Sequence, residues 1–268
     1  MIKAIVRDWL DSRIPGLGRY YRRRRDGQAA APPFEFRFQG SARVAAGLYE
    51  QEETAIFLQY LGECTTCIDI GANVGMYSCL ARSHGKHVIA FEPLTENLKY
   101  LYKNLVSNDF LNVEVYPIGL SDTVGLHALY GSGINASLVR GWAKTRDDRY
   151  TVIPTSTLDN MLGTRVDGTP LMIKMDVEGL EFQVLKGAER TLSLTPKPYW
   201  MVEIVLTEQI PGGLNDKFYQ TFEVFWRHGY KAITADRHQR AVHPRDVERW
   251  ASSGVRDFGS YNYLFVGS

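Results

Sequence analysis

Apolar positions fall into two rhythms that alternate along most of this chain. Cys67-Ile-Asp-Ile70 is a short apolar run ending in glycines, and His87-Val-Ile-Ala-Phe91 is a second, ended by Glu92-Pro93. Val113–Ile118, Leu171–Met175, Tyr199–Leu206, Tyr230–Thr234 and Tyr261–Val266 have the same length and character. Runs of this size, bounded by turn residues, predict buried strands. Between them the apolar residues take helical spacing. Glu52–Leu61, Met76–Ser83, Leu180–Leu192 and Asp216–His228 read as helices. Thr95 is the expected N-cap of another, reaching Asn108, with Leu98, Leu101, Tyr102 and Leu105 on one face. Repeated strand–helix units predict an α/β fold: a mostly parallel sheet with helices on both faces.

Two stretches break the rhythm. From Ser121 to Leu162 no good helix is found; Leu126–Tyr130 and Tyr150–Ile153 alternate like strands around the link Gly131-Ser-Gly-Ile-Asn135. This predicts an insertion of hairpins and loops, a natural place for ligand recognition. The N-terminus differs again. Ile2, Ile5, Val6, Trp9 and Leu10 give a short amphipathic helix, Arg22–Arg25 follow, and Met1–Gly27 holds eight Lys or Arg against three Asp. The segment either packs on the domain or makes peripheral contact with a membrane or an acidic partner. The aromatics Tyr20, Tyr21, Phe34, Phe36 and Phe38 either cover a sheet edge or meet a sugar.

Composition adds exclusions. With 31 basic and 30 acidic residues in 268, nothing points to nucleic acid. Nothing approaches the roughly 18 consecutive apolar residues of a membrane span, and Lys3, Arg7 and Asp8 stand where a signal peptide needs an apolar stretch. Three cysteines, Cys64, Cys67 and Cys79, are too few for a disulfide scaffold and fit a cytoplasmic setting. Cys64-Thr-Thr-Cys67 has no second pair to complete a zinc site.

Candidate chemistry sits at the carboxyl ends of predicted strands, where ligands of such sheets bind. The first strand runs into Asp69-Ile-Gly71-Ala-Asn73-Val-Gly75. Its glycines allow close approach of backbone to a ligand, and the helix that follows presents free N–H groups. A dinucleotide fingerprint needs glycines at 73 and 76, which hold Asn73 and Met76. Glu92 ends the second strand, where a carboxylate can take both ribose hydroxyls. The fourth strand ends in Lys174-Met-Asp176-Val-Glu178-Gly179, an acidic cluster suited to proton transfer or, less favoured, to a divalent cation. Glu203 is a third acid facing the same cleft or the partner of Lys174. His127 is a weaker base candidate, since a lone histidine in such an insertion is usually a surface residue.

Together these residues resemble the FkbM family of S-adenosylmethionine-dependent methyltransferases. The resemblance rests on Tyr49-Glu50, Ile68–Gly75, Phe91-Glu-Pro93, Gly119-Leu-Ser-Asp122, Asn135-Ala-Ser-Leu138, Thr157-Leu-Asp159, Ile173–Gly179 and Leu185-Lys-Gly187. Gly119 stands where the pattern has alanine. The family implies a class I, Rossmann-like sheet of seven strands with the last antiparallel. With the helical and basic start read above, the chain divides into an N-terminal extension, 1–48, and, on the resemblance, a methyltransferase domain, 49–268. The family further implies methyl transfer, usually to a hydroxyl oxygen of a sugar, glycan or natural product. On this chain Asp69, Gly71 and Asn73 would line the methionine part of the cofactor, Glu92 would hold the ribose, and Gly119, Leu120, Ser121 and Asp122 would lie near adenine. Glu50, Ala72, Gly75, Tyr77, Ser78 and Pro93 fall on the same cofactor side. Asp176 and Glu178 would act on the acceptor, with Asn135, Ser137, Lys174 and Glu203 on that side. Two rival functions stay open: a non-catalytic cofactor-binding scaffold, and a nicotinamide-dependent oxidoreductase. The sequence leaves the acceptor and the oligomeric state undetermined.

Overall fold

Five consecutive buried residues make β1 (Thr66–Ile70), and their burial on both faces puts this strand in the middle of a sheet. The computed structural model describes residues 36–41, 44, 49–131, 136–144 and 148–267. The chain divides into two units, 1–49 and 50–268. The predicted N-terminal helix, the arginine run, Tyr20, Tyr21, Phe34 and Asn135 lie outside the described residues. In the first unit, the rings of Phe36 and Phe38 meet edge to face at 6.2 Å.

In the second unit β1 lies between β2 (His87–Phe91) and β7 (Leu171–Met175), parallel to both. Beyond β2 comes β3 (Glu114–Tyr116), and beyond β7 comes β8 (Tyr199–Glu203). The sheet continues through β11 (Asn262–Gly267), β9 (Tyr230–Thr234) and the two-residue edge strand β10 (Ala241–Val242). The order is β10-β9-β11-β8-β7-β1-β2-β3, and β11 runs antiparallel to both neighbours. The seven predicted strands are all present, with the last reversed. β10 is an addition the sequence pattern did not show.

Helix α1 (Gln51–Leu61) precedes β1, while α2 (Met76–Ser83) follows β1 and α3 (Thr95–Ser107) follows β2. The aromatic helix α7 (Phe218–Arg227) lays Phe225 flat on Phe265 of β11, with centroids 3.7 Å apart, and edge-on to Trp200 of β8. The C-terminal helix α8 (Pro244–Ser253) begins with Pro244 and a capping box between His243 and Asp246. No helix among the described residues is long and apolar enough to cross a membrane.

Three local expectations need correction. Thr95 is not an N-cap: Leu94 holds that position without a side-chain bond, and Glu92 fixes the entry to the helix by accepting Leu94 N–H at 2.8 Å and Asn97 Nδ2 at 3.2 Å. The single helix expected over Leu180–Leu192 is two, α5 (Glu181–Lys186) and α6 (Glu189–Leu192). The break comes at Gly187, where a Cβ would stand 2.3 Å from the Ser121 carbonyl. Asp159 then caps α6 through Arg190 N–H, Thr191 N–H and the Thr191 hydroxyl. Asp159 itself lies on α4 (Leu158–Leu162), a short helix capped by Thr157 where none was expected.

The insertion forms its own sheet. β5 (Gly125–Tyr130) and β6 (Tyr150–Ser156) are the expected antiparallel pair, and β4 (Gly119–Leu120) joins β6 in parallel. The connection returns so that Ser137 pairs with Tyr130. Leu129 and Ile153 turn inward against Leu94, Ala136 and Leu138.

β1 and β7 separate at their carboxyl ends only after one more contact. Asp176 N–H donates to the Ile70 carbonyl at 3.0 Å, and Gly71, at φ +78°, lies so close that a Cβ would be 1.9 Å from the Asp176 carbonyl oxygen. Gly71→Ala should therefore lose about 3 kcal/mol of stability, from the positive φ and from forced displacement of backbone. Gly168→Ala, at φ +71° with nothing within 4 Å, should lose only about 1 kcal/mol. Urea unfolding of the two variants checks this; equal losses would show that the close approach carries no energy.

Candidate active site

A cleft open to solvent at its mouth lies beyond the carboxyl ends of β1, β2 and β7. One wall is the turn after β1 with Gly71 and Asn73. The second is the Glu92-Pro93 end of β2 with Asn97, and the third is Asp176, Val177 and Glu178 after β7. Ile118, Gly119 and Leu120 close one end, and the inward apolar residues of the insertion cover it.

Local sequence explains how these walls are held. Asn73 adopts φ +52°, and its N–H donates to Glu92 Oε2 at 2.8 Å. The β1 turn and the end of β2 are thereby joined through one carboxylate. The Asn73 Oδ1 atom is buried without a hydrogen-bond partner, a state that usually calls for a ligand or water. Gly75 starts α2 at φ +88°, with Leu101 of α3 only 3.1 Å from where its Cβ would be. Both glycines of the loop are thus required by contacts within the protein, whereas the sequence suggested approach to a ligand.

Asp69 and Lys174 are direct neighbours in register on β1 and β7, each 2% exposed. Asp69 accepts from the Ser78 hydroxyl at 2.5 Å. Burial pushes its pKa up to about 6, with Ser78 and Lys174 holding it down. Lys174 Nζ donates to Asn262 Oδ1 at 3.2 Å, stands 3.8 Å from Asp176 Oδ2 and lies 5.3 Å over the Tyr77 ring. Burial pulls the lysine pKa down, but Asp176, Glu50, Glu203 and Asp69 together leave it above its usual value. Tyr77 in turn donates to Glu50 Oε2 at 2.7 Å.

The acids around the cleft bind protons more tightly than ordinary carboxylates. Burial raises Glu92 to about 7 against three hydrogen bonds that lower it. It raises Glu178 to about 8 with help from Asp176. Asp176 is raised by burial and by Glu50, with Lys174 opposing. Glu203 reaches about 9, chiefly because Asp176 is near. Burial is the leading cause for Glu92, Glu178 and Asp176, and the neighbouring charge of Asp176 for Glu203.

The expected residues fall into three sets. Gly71, Asn73, Glu92, Pro93, Gly119, Leu120, Asp176 and Glu178 line the cleft. Asp69, Ser78, Tyr77, Glu50, Lys174 and Glu203 stand behind it as a polar layer. Ala72 is buried with its N–H on the Phe91 carbonyl. Ser121 and Asp122 are outside the lining: Asp122 pairs with Lys186 at 2.5 Å, and Ser121 packs its carbonyl on Gly187. Ser137 binds the Glu178 carbonyl from the insertion. His127 is bonded to Thr155 at 2.7 Å and does not line the cleft.

Sequence reasoning missed four residues. Glu181 accepts from Gly179 N–H and Val177 N–H, and so braces the turn that carries Asp176. Asn97 was detectable as a first-turn polar residue after Glu92. Asn262 and Trp142 carried no local signal, because their partners Lys174 and Glu178 are distant in sequence. The cysteines are all buried and free. Among the described residues, no group of three or more His, Cys, Asp or Glu is arranged to hold a metal ion.

The Methyltransferase FkbM domain matches residues 69–232. The hexuronic acid methyltransferase AglP of Haloferax volcanii is 30% identical over 145 residues, covering 53% of this chain and 58% of that protein. Similar solved structures include a precorrin-6Y C5,15-methyltransferase from Geobacter metallireducens, with TM-score 0.44 and 13% identity over 85% of this chain and 90% of the other. A TehB-like S-adenosylmethionine-dependent methyltransferase from Corynebacterium glutamicum gives TM-score 0.43 and 12% identity over 84% and 92%. With the family domain spanning well over half of its length, from β1 to β9, this chain belongs to the FkbM methyltransferase family.

Proposed function

We propose that the protein binds S-adenosylmethionine in this cleft and catalyses methyl transfer to an oxygen of a sugar. One observation carries the reading: the lining holds Glu92, Asp176 and Glu178 and, among the described residues, no Lys, Arg or His. Such a cleft favours a ligand with a sulfonium and an ammonium, and it repels the pyrophosphate of a nicotinamide dinucleotide. Membership of the FkbM family and the hexuronic acid named for AglP support the sugar as acceptor.

The residues fit the cofactor. Glu92 keeps acceptor capacity on Oε2 beside Asn73, where it can take ribose hydroxyls, and the orphan Asn73 Oδ1 can accept from an ammonium. Gly119, Leu120 and the inward face of the insertion give an apolar slot for a base. When bound, the sulfonium supplies a methyl group already activated for in-line displacement. The protein then has to align the acceptor and remove its proton. Asp176 is suited to this: its side chain is 28% exposed, and its backbone is locked against Gly71. Glu178, on the same turn, is the second carboxyl that can orient the hydroxyl.

Titration of S-adenosylhomocysteine should give saturable binding, while nicotinamide dinucleotides should give none. Methyl transfer from labelled S-adenosylmethionine into neutral sugars and uronic acids tests the acceptor class, and absence of label in all of them would sink it. Asp176→Asn should lower turnover by about 10²-fold or more while leaving S-adenosylhomocysteine affinity within about twofold. Near-normal turnover in that variant would remove Asp176 from its role.

Binding should also release protons near pH 6.5. Free Glu92, with a pKa of about 7, is largely protonated there. Hydroxyl donors from a ribose favour its charged form, so the pKa falls on binding and the proton leaves to the buffer. Calorimetry in buffers of different ionisation enthalpy should show roughly half a proton released at pH 6.5, and Glu92→Gln should remove that release. Uptake of protons at pH 6.5 would contradict the ribose contact.

A further inference from the structure

Trp142 belongs to residues 136–144, the described part of the connection between β5 and β6, yet it is only 1% exposed. Several contacts hold this segment on the turn after β7. The indole Nε1 donates to Glu178 Oε2 at 2.7 Å. The ring lies on the bare Cα of Gly179, where a Cβ would stand 2.4 Å from the indole. Ser137 Oγ donates to the Glu178 carbonyl at 2.6 Å, and Val139 N–H donates to Ser137 Oγ at 2.9 Å. The far end of the segment is tied too: Ala143 N–H donates to the Gln209 carbonyl at 2.8 Å, and Gly141 rests on Pro211. The segment therefore spans from the turn after β7 to the loop after β8.

Glu178 is held at φ +55°, which a non-glycine residue keeps only when its surroundings impose it. Its carboxyl group has two oxygens. With Oε2 committed to the indole, side-chain rotation is restricted and Oε1 is left for a ligand. We infer that Trp142 is a positioning residue for methyl transfer: its indole N–H and its seat on Gly179 fix Glu178 so that Oε1 meets the acceptor hydroxyl. The inference rests on the reading of this cleft as the methyl-transfer site. The charged or titratable groups that act on Glu178 are Asp176 on its own turn, Glu181 at the start of α5, Lys174 on β7 and Glu203 on β8. None of them supplies the N–H that Trp142 does.

The test compares W142F, which keeps a ring on Gly179 and loses the donor, with E178Q and the double variant. S-adenosylhomocysteine affinity should stay within about twofold of the parent, and turnover with D-glucuronic acid should fall about tenfold. In the E178Q background, W142F should cost less than about twofold, because the group it positions is already changed. A donor to the carboxylate favours the charged form, so W142F should move the titration of Glu178 to higher pH. That shift is read by NMR of the S-adenosylhomocysteine-loaded protein with labelled glutamate carboxyl carbons, the signal assigned by its loss in E178Q. An unmoved titration, or an equal loss of turnover in both backgrounds, overturns the inference. If the parent protein transfers methyl to no sugar, the acceptor reading fails, and the Glu178 titration still decides the role of Trp142. Should W142F not fold, β-(3-benzothienyl)alanine at 142 keeps the bicyclic ring without the N–H, and the same comparison applies.

Discussion

A lysine ammonium buried in the middle of a β-sheet constrains everything placed near it. Moving such a charge out of water costs several kcal/mol unless partners surround it. Lys174 gathers them from five elements: Asn262 on β11, Asp69 on β1, Glu203 on β8, Glu50 before α1, and Tyr77 on α2, with Asp176 at the end of its own strand. The arrangement fixes the floor of the cleft. Burial keeps the carboxyls nearest the opening protonated at higher pH than usual, and for Asp176 and Glu178 the lysine charge opposes that rise only in part. A site built in this way can receive a cation and can hold a proton acceptor close to it.

The turns above that floor are set by steric contact. Gly71 exists because the Asp176 carbonyl occupies the place of its side chain, and Gly179 because the Trp142 ring does. Gly187 admits the Ser121 carbonyl, which breaks one helix into two and gives Asp159 a helix to cap. Several residues that first look like ligand contacts are therefore the joints between neighbouring loops. The polar side chains left lining the cleft are Asn73, Glu92, Asn97, Asp176 and Glu178, held by the Asn73–Glu92 bond, by the Trp142–Glu178 bond and by those joints.

The strand and helix series was legible in the chain because apolar spacing records which faces are buried, and β1, β2, β7 and α2 carry that record without interruption. The loop from Asp69 to Gly75 and the acids Glu92 and Asp176 were legible because a parallel sheet delivers residues at strand ends to one edge. The sequence could not show that Ser121 and Asp122 face Gly187 and Lys186 instead of the cleft, since a two-residue strand, β4, redirects them. Nor could it show that Glu92 holds the N–H of Leu94 at the entry to α3, or that Trp142 reaches Glu178, 36 residues away. Periodicity and strand-end position are local properties that sequence alone determines. The partner of a buried charge, the carbonyl that fills a glycine's missing side chain and the oxygen an indole selects are decided by segments distant in sequence, and only tertiary packing brings those together.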